Sequence, residues 1–256
     1  MTPLLSARGL KLAFGGVKAA DGIDLDVHAG EFLAIIGPNG AGKTTFINMT
    51  TGYLRPQAGA ILFDGRPILG LKPRRLVGLG IARSFQLPQL FLEHTVAENV
   101  ALAVAARDGL WSPMRPLMRP SWRDEADEIL ARFGISELAQ RRADALNEGA
   151  RKLVDIAMAV ALRPRLILMD EPTSGVAGAD KMGIVETLVR VLRDAGVTAV
   201  FVEHDMEVVA RFADRVAVWA QGRIAALGPV ADVLADPIVR REVIGVGIEE
   251  VADAAA

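Results

Sequence analysis

The chain of 256 residues is 51% hydrophobic, which is enough to bury a sizeable core and predicts a packed globular protein. Its 29 basic and 31 acidic side chains nearly cancel, so no summed field points to nucleic acid or an anionic bilayer as the main partner. The lack of cysteine excludes disulfides and thiolate sites, and since no apolar run approaches the ~20 residues that cross a bilayer, we expect no membrane-spanning segment.

The predicted strands fall into two groups. Residues 4–27 and 59–68 have the pattern of short strands joined by Gly and Asp turns, which predicts a small antiparallel sheet. Near-continuous apolar runs predict strands covered on both faces of a largely parallel sheet, at residues 32–36, 166–169, 199–202 and 216–219.

Helices are predicted between the later strands and through the middle of the chain. Apolar residues at helical spacing predict helices at 150–162 and 181–195, so strands and helices alternate as in an α/β fold. Thr95 and Glu98 have the spacing of a capping box that opens a further helix. A proline-rich stretch at 111–122 is either an exposed loop or a dedicated contact surface.

A glycine-rich loop follows the first apolar strand and fits the pattern G-x-x-x-x-G-K-[ST] from Gly37 to Thr44. Glycines let main-chain N–H groups approach phosphate oxygens, and the start of the next helix adds partial positive charge. We expect Lys43 to neutralise the β- and γ-phosphates and the Thr44 hydroxyl to bind Mg²⁺. The alternative is an ordinary turn between a strand and a helix. The predicted nucleotide contacts of the loop are Gly37, Pro38, Asn39, Gly40, Ala41, Gly42, Lys43, Thr44 and Thr45.

Two acidic residues follow the second apolar strand, where it is expected to emerge beside the loop. Asp170 suits a carboxylate that holds Mg²⁺ through water, and Glu171 suits a base that polarises the water attacking the γ-phosphate. The alternative is that the acidic pair at this strand end belongs to an ordinary solvated loop. Together with the glycine-rich loop, the pair predicts hydrolysis as well as binding.

Three segments in this order, GPNGAGKTT, LILMDEPTSG and FVEHDM, resemble the ATP-binding subunit of an ABC transporter. The resemblance extends to about residue 247 and implies ATP and Mg²⁺ as ligands. The implied fold is α/β: a P-loop NTPase (RecA-like) core with a largely parallel sheet, an N-terminal antiparallel β subdomain and an inserted helical subdomain. We place the core at 1–85 and 160–235, the helical subdomain at 86–159, a C-terminal extension at 236–247 and a flexible tail at 248–256.

The resemblance assigns roles to three further residues. Phe14 matches the aromatic side chain that stacks on adenine, the alternative being a strand residue in the core. Gln86 matches the glutamine that senses Mg²⁺ and the attacking water, the alternative being a polar surface residue. His204 matches the histidine that contacts the γ-phosphate, although a single histidine at a strand end is usually structural.

The family signature, usually Leu-Ser-Gly-Gly-Gln, is altered here to Leu146, Asn147, Glu148, Gly149 and Ala150. The resemblance implies that this segment contacts ATP held by the opposite subunit of a dimer. Asn147 can still cap a helix. The Glu148 carboxylate would oppose a phosphate unless it points away. The loop after Gly175, VAGAD, also departs from the family pattern, and Asp180 is expected only to cap the next helix.

Several longer phrases, including ARSFQLPQLFLEHTVAENV and the ending DPIVRREVIGVG, are most similar to ATPases of branched-chain amino acid importers. The resemblance implies a second ATPase subunit, two transmembrane permease subunits, indirectly a solute-binding protein, and a peripheral position on the cytoplasmic face of the inner membrane. The altered signature favours a heterodimer over a homodimer, and no nucleic-acid partner is expected.

Alternative functions remain at this stage. Related systems import urea, short amides or aromatic acids, or export lipopolysaccharide. The altered signature leaves open a regulatory subunit with weak or no hydrolysis. A soluble ABC ATPase acting on nucleic acid or ribosomes is another class, but such proteins usually carry long coiled coils or tandem ATPase halves, and neither fits this sequence.

Overall fold

A computed structural model describes residues 2–109, 119–176 and 178–239 of the chain, without the side chains of 178–180 and 238. Most of the predicted proline-rich stretch, Ala177 of the VAGAD loop, the end of the C-terminal extension and the tail at 248–256 therefore lie outside the described residues. Within the described part, no helix combines the length and apolar character needed to cross a bilayer.

The described elements are numbered in chain order. The strands are β1 (Leu5–Phe14), β2 (Val17–Val27), β3 (Phe32–Ile36), β4 (Ala58–Phe63), β5 (Arg66–Pro67), β6 (Ile81–Ser84), β7 (Leu166–Asp170), β8 (Thr198–Val202), β9 (Arg215–Ala220) and β10 (Arg223–Pro229). The helices are α1 (Lys43–Thr50), α2 (Pro73–Leu79), α3 (Val96–Asp108), α4 (Pro120–Arg132), α5 (Glu148–Ala161), α6 (Gly178–Asp194), α7 (Met206–Phe212), α8 (Val230–Ala235) and α9 (Pro237–Val239). Two 3₁₀ turns lie at Ser136–Leu138 and Ala143–Ala145.

The chain divides into two compact units, the first formed by residues 2–70 and 201–239. The small antiparallel sheet that the turn-rich sequence predicts is present, and its strand order is β2-β1-β4-β5. Beside it, β3 pairs in parallel with β9, which pairs antiparallel with β10. All five residues of β3 are buried, and the ring of Phe46 on α1 lies 5.4 Å from that of Trp219. This core holds the strand and the helix on either side of the glycine-rich loop.

The second unit contains residues 71–200. Strands β6 and β7 pair in parallel, with Ile81 opposite Leu166 and Ser84 opposite Met169. Helix α3 packs against α4 and α5, and in the described residues between β6 and β7 the regular elements are helices and 3₁₀ turns. The predicted capping box is confirmed: the Thr95 hydroxyl accepts from the Glu98 amide at 3.2 Å, and the Glu98 carboxylate accepts from the Thr95 amide at 2.8 Å.

Several sequence-based boundaries need correction. The helix expected at 150–162 begins at Glu148, and the one expected at 181–195 begins at Gly178, so Asp180 lies inside its first turn and does not precede it. Strands β6 and β10 and helix α2 were not predicted, because their short segments mix polar and apolar residues without a clear period.

Candidate active site

In the first unit, the glycine-rich loop is shaped by two close approaches of the main chain. Gly37 (φ +146°) leads out of β3, and a Cβ there would overlap the carbonyl oxygen of Trp219. Gly42 (φ +104°) precedes α1, and a Cβ there would overlap the carbonyl oxygen of Ala19. Only glycine satisfies both the backbone angles and the available space, so the sequence pattern has a steric cause here.

Lys43 is almost completely buried, with 6% of its surface exposed. Its Nζ donates hydrogen bonds to the carbonyl oxygens of Gly37 at 2.6 Å and Pro38 at 2.9 Å. The ammonium group is therefore held within the loop. Because Gly42 contributes no side chain to cap α1, the loop joins a positive charge to the N-terminus of a helix, an arrangement that binds phosphate.

His204 lies in the same unit, one residue beyond the buried Glu203. The Glu203 amide donates to the carbonyl of Ile35 at 3.2 Å, which sets the end of β8 beside the end of β3. A cavity of about 290 Å³ is lined by Ile36, Gly37, Pro38, Asn39, Glu203, His204 and Met206. The structure thus brings the predicted histidine and the start of the predicted phosphate loop to the same cavity.

Phe14 ends β1 and is 52% exposed, so the alternative of a core residue is wrong. Tyr53, after α1, is a second aromatic residue with 53% of its surface exposed. Exposed aromatic faces are available for stacking. The structure therefore leaves the adenine-stacking role of Phe14 as a prediction.

In the second unit, Gln86 and Glu171 are brought together. The Gln86 Nε2 donates to the Glu171 Oε2 at 3.1 Å, although the two residues lie far apart in sequence. The preceding Asp170 is 2% exposed, and its Oδ2 lies 3.6 Å from Nη2 of Arg83. Glu171 has φ +51°, a left-handed conformation that is uncommon away from glycine and that occurs at functional sites.

Helix α5 begins with the altered signature. The Asn147 Oδ1 accepts from the Ala150 amide at 2.8 Å, so the predicted cap is present, and Leu146 is 7% exposed. The Glu148 carboxylate lies against Gly175, occupying the place where a Cβ of residue 175 would sit. The two residues, with Asn147 and Gly149, belong to the wall of an open cavity of about 550 Å³ in this unit. The carboxylate is thus packed against a residue of its own chain.

Three charged residues near Gln86 and Asp170 were missed from the sequence. Arg83 is on β6, and Lys152 and Asp155 are buried on α5. A charged pair three residues apart, beside the apolar stripe of a helix, was the only signal available. Their partners are largely main-chain atoms, which a sequence pattern does not identify.

The described residues contain no group of three or more His, Cys, Asp or Glu side chains that could hold a metal by themselves. Magnesium is commonly bound through one or two carboxylates together with substrate phosphates and water. Among the predicted magnesium ligands, the buried Asp170 carries a carboxylate and Thr44 carries a hydroxyl, and both are donor types that magnesium accepts.

Residues 20–174 match the sequence model of the ABC transporter family. The chain is 34% identical to the high-affinity branched-chain amino acid transport ATP-binding protein LivG of Escherichia coli K12, covering 95% of this chain and 98% of that protein. It is 42% identical to the cobalt import ATP-binding protein CbiO of Rhodobacter capsulatus, covering 92% and 82%.

The fold is also similar to solved structures. The ADP conformation of MJ1267, an ATP-binding cassette of an ABC transporter, superposes with a TM-score of 0.82 at 33% identity, covering 93% of this chain and 97% of that one. The dimeric, post-hydrolysis ATP-binding cassette MJ0796, bound to ADP and Pi, gives a TM-score of 0.75 at 25% identity, covering 88% and 98%. These likenesses extend over both units.

Proposed function

Because this chain belongs to the ABC transporter family, whose ATP-binding cassettes are ATPases coupled to transport, we propose that it powers the import of branched-chain or related amino acids. The cargo assignment is supported by the LivG relatives, which align over nearly their whole length. Cobalt import is the second candidate, favoured by the higher identity to CbiO.

The hydrogen bond between Gln86 and Glu171 carries the proposal of hydrolysis by this chain. Glu171 polarises a water molecule and takes its proton on a carboxylate oxygen, while the water oxygen bonds to the γ-phosphorus. The bond from this phosphorus to the bridging oxygen breaks, which releases ADP and phosphate. Gln86, fixed at 3.1 Å from the base, orients the attacking water.

Binding of ATP is assigned to the first unit. Main-chain amides of the loop and the Lys43 ammonium hold the phosphates, Phe14 stacks on adenine, and His204 contacts the γ-phosphate. Magnesium would be held by Thr44, Gln86 and Asp170, and when bound it would neutralise charge on the phosphates of ATP.

The active site is proposed to be shared between subunits. Leu146, Asn147, Glu148 and Gly149 are offered to the ATP of a second ATPase subunit, and a heterodimer suits their departure from the family pattern. Two transmembrane permease subunits and, indirectly, a solute-binding protein complete the system, and this chain is proposed to lie at the cytoplasmic face of the inner membrane. We place the helical subdomain at 86–159 and propose that it is the part of the chain that moves the permeases.

The proposal is tested by replacing Glu171 with Gln in the complex that co-purifies with this chain. Loss of a general base typically costs about 10²- to 10⁴-fold, so turnover at this site should fall by that factor while ATP binding persists. The control is Glu137→Gln, an exposed glutamate of the same unit, which should leave turnover unchanged. Unchanged turnover after Glu171→Gln would refute hydrolysis by this residue.

The cargo is tested separately. The membrane and solute-binding subunits that co-purify with the chain are identified, and the solute-binding subunit is titrated with leucine, isoleucine, valine and, as the alternative, Co²⁺. Saturable binding of an aliphatic amino acid is expected. Binding of Co²⁺ alone would replace the cargo proposal without affecting the ATPase assignment.

A further inference from the structure

Lys152 is the most deeply buried cation among the described residues, with 1% of its surface exposed. Its Nζ donates to three main-chain carbonyl oxygens, those of Phe85 at 2.6 Å, Gln86 at 3.2 Å and Asp170 at 3.3 Å. An ammonium group has three donors, and burying it without compensation is costly. The three acceptors stabilise the buried charge, and two of them belong to residues of the proposed active site.

Asp155, one turn further along α5, contacts the same segment, but it accepts hydrogen bonds where Lys152 donates them. Its Oδ2 accepts from the Ser84 hydroxyl at 2.7 Å and from the Phe85 amide at 3.2 Å, and its Oδ1 accepts from the Gln89 amide at 3.1 Å. Burial raises the pKa of Asp155, while these donors favour its charged form. Two neighbouring side chains of one helix thus bind the carbonyls of Phe85 and Gln86 and the amides of Phe85 and Gln89.

The position of these contacts along the strands gives them their importance. The hydrogen-bonded pairing of β6 with β7 ends at Ser84 opposite Met169. Gln86 and Glu171 both lie beyond that last pair, where the strands no longer hold each other in register. There the Lys152 ammonium lies between the two chain segments and binds a carbonyl of each.

From this geometry we infer that Lys152 and Asp155 are positioning residues for ATP hydrolysis. They fix the backbone at Gln86 and Asp170 so that the side-chain amide of Gln86 meets the Glu171 carboxylate. The inference rests on the proposed roles of Gln86 and Glu171. Neither α5 residue is assigned any contact with ATP or water, since both act through the segment they hold.

The test is steady-state ATP hydrolysis by the assembled complex carrying Lys152→Met, measured above the background of Glu171→Gln. Methionine preserves the length and apolar stem of lysine but removes all three donors. Misplacement of a catalytic group by about 1 Å can cost about 10²-fold, so we expect kcat to fall by about 10- to 100-fold. The KM for ATP should change by less than about twofold, because binding is assigned to the loop at 37–45.

A double-mutant cycle separates positioning from a general structural role. If Lys152 acts through Gln86, then in a Gln86→Ala background the further change Lys152→Met should lower kcat by less than about twofold. The matched control is Arg107→Met, which removes another largely buried cation whose Nη1 donates at 3.0 Å to the Ala161 carbonyl at the far end of the same helix. It should lower the unfolding temperature but leave kcat unchanged.

Each outcome decides the inference. A folded Lys152→Met complex with kcat within about twofold of the parent overturns it, as does a full loss that persists in the Gln86→Ala background. Should Lys152→Met fail to fold, Asp155→Asn takes its place, because it keeps the side-chain shape but has one acceptor oxygen. Its kcat, alone and in the Gln86→Ala background, then decides the inference by the same criteria. If Glu171→Gln leaves turnover intact, the proposed function fails, and that result is distinct from failure of the α5 variants alone.

Discussion

Replacement of Gly42 by Ala tests whether the phosphate loop depends on the close approach of two main-chain segments. Gly42 has φ +104°, and an added Cβ would overlap the carbonyl oxygen of Ala19, which lies on β2 and is 6% exposed. Gly40 in the same loop provides a matched control. It also has a positive φ, +79°, yet in the described part of the chain a Cβ there would meet no atom within 4 Å.

The expected magnitudes follow from these two differences. A left-handed backbone costs alanine about 1–2 kcal/mol, a term that both substitutions share. Forcing a methyl group into occupied space adds about 1–3 kcal/mol, a term that applies only at Gly42 because the neighbouring atom is main chain and does not rotate away. We therefore expect Gly40→Ala to lower the free energy of unfolding by about 1–2 kcal/mol and Gly42→Ala by about 2–5 kcal/mol.

The assay is urea-induced unfolding of both variants and the parent without nucleotide, followed by the same measurement with saturating ATP and Mg²⁺. ATP should raise the free energy of unfolding of the parent. Most of this gain should be absent in Gly42→Ala, because a displaced loop no longer presents its main-chain amides to the phosphates. Equal losses of unfolding free energy in the two variants would show that contact with Ala19 has no energetic role, and the steric argument would be wrong.

Two further predictions concern the helical region. Thr95→Ala should lower the free energy of unfolding by about 1 kcal/mol in chemical denaturation, since the cap of α3 is removed, whereas Thr95→Ser should retain it; equal losses would exclude the hydroxyl as the cause. The Arg107 guanidinium lowers the pKa of Glu125, so their contact stabilises the fold above the unfolded pKa of about 4.3 and is lost as pH falls through the lower folded value. Denaturation midpoints between pH 3 and 7 should therefore show a gap between the parent and Arg107→Met that narrows in acid, and a gap independent of pH would contradict the linkage.

The sequence predicts best those parts of the fold whose cause is local. The buried strand β3, with five consecutive apolar residues, and the capping box at Thr95 are decided by residues a few positions apart, and both are confirmed. Strand β6 was missed because it carries Arg83 and Ser84, and β10 because none of its residues is buried and its apolar residues do not alternate with polar ones. Their strand conformation depends on a neighbouring strand that a short window of sequence does not contain.

The candidate site shows the same division. The loop from Gly37 to Thr44 can be recognised from the sequence, because its glycines, lysine and threonine form one short continuous pattern. Lys152 cannot, because its partners are carbonyl oxygens, and every residue has one. The direction of the Glu148 side chain was likewise open from sequence, since it depends on the space above Gly175.

The contact between Glu148 and Gly175 favours one order in which this segment can diverge over evolutionary time. Residue 175 has φ +74°, which asparagine tolerates, but any Cβ there would collide with the Glu148 carboxylate. A lineage can shorten residue 148 first and then vary residue 175 without a clash, whereas in the reverse order the exposed Glu148 side chain must turn away in the same step. Gly175 can persist without Glu148, but Glu148 in its present orientation cannot persist without Gly175. Among related chains, an acidic side chain at 148 that packs over residue 175 as it does here should therefore be accompanied by glycine at 175, while glycine at 175 carries no such requirement in return.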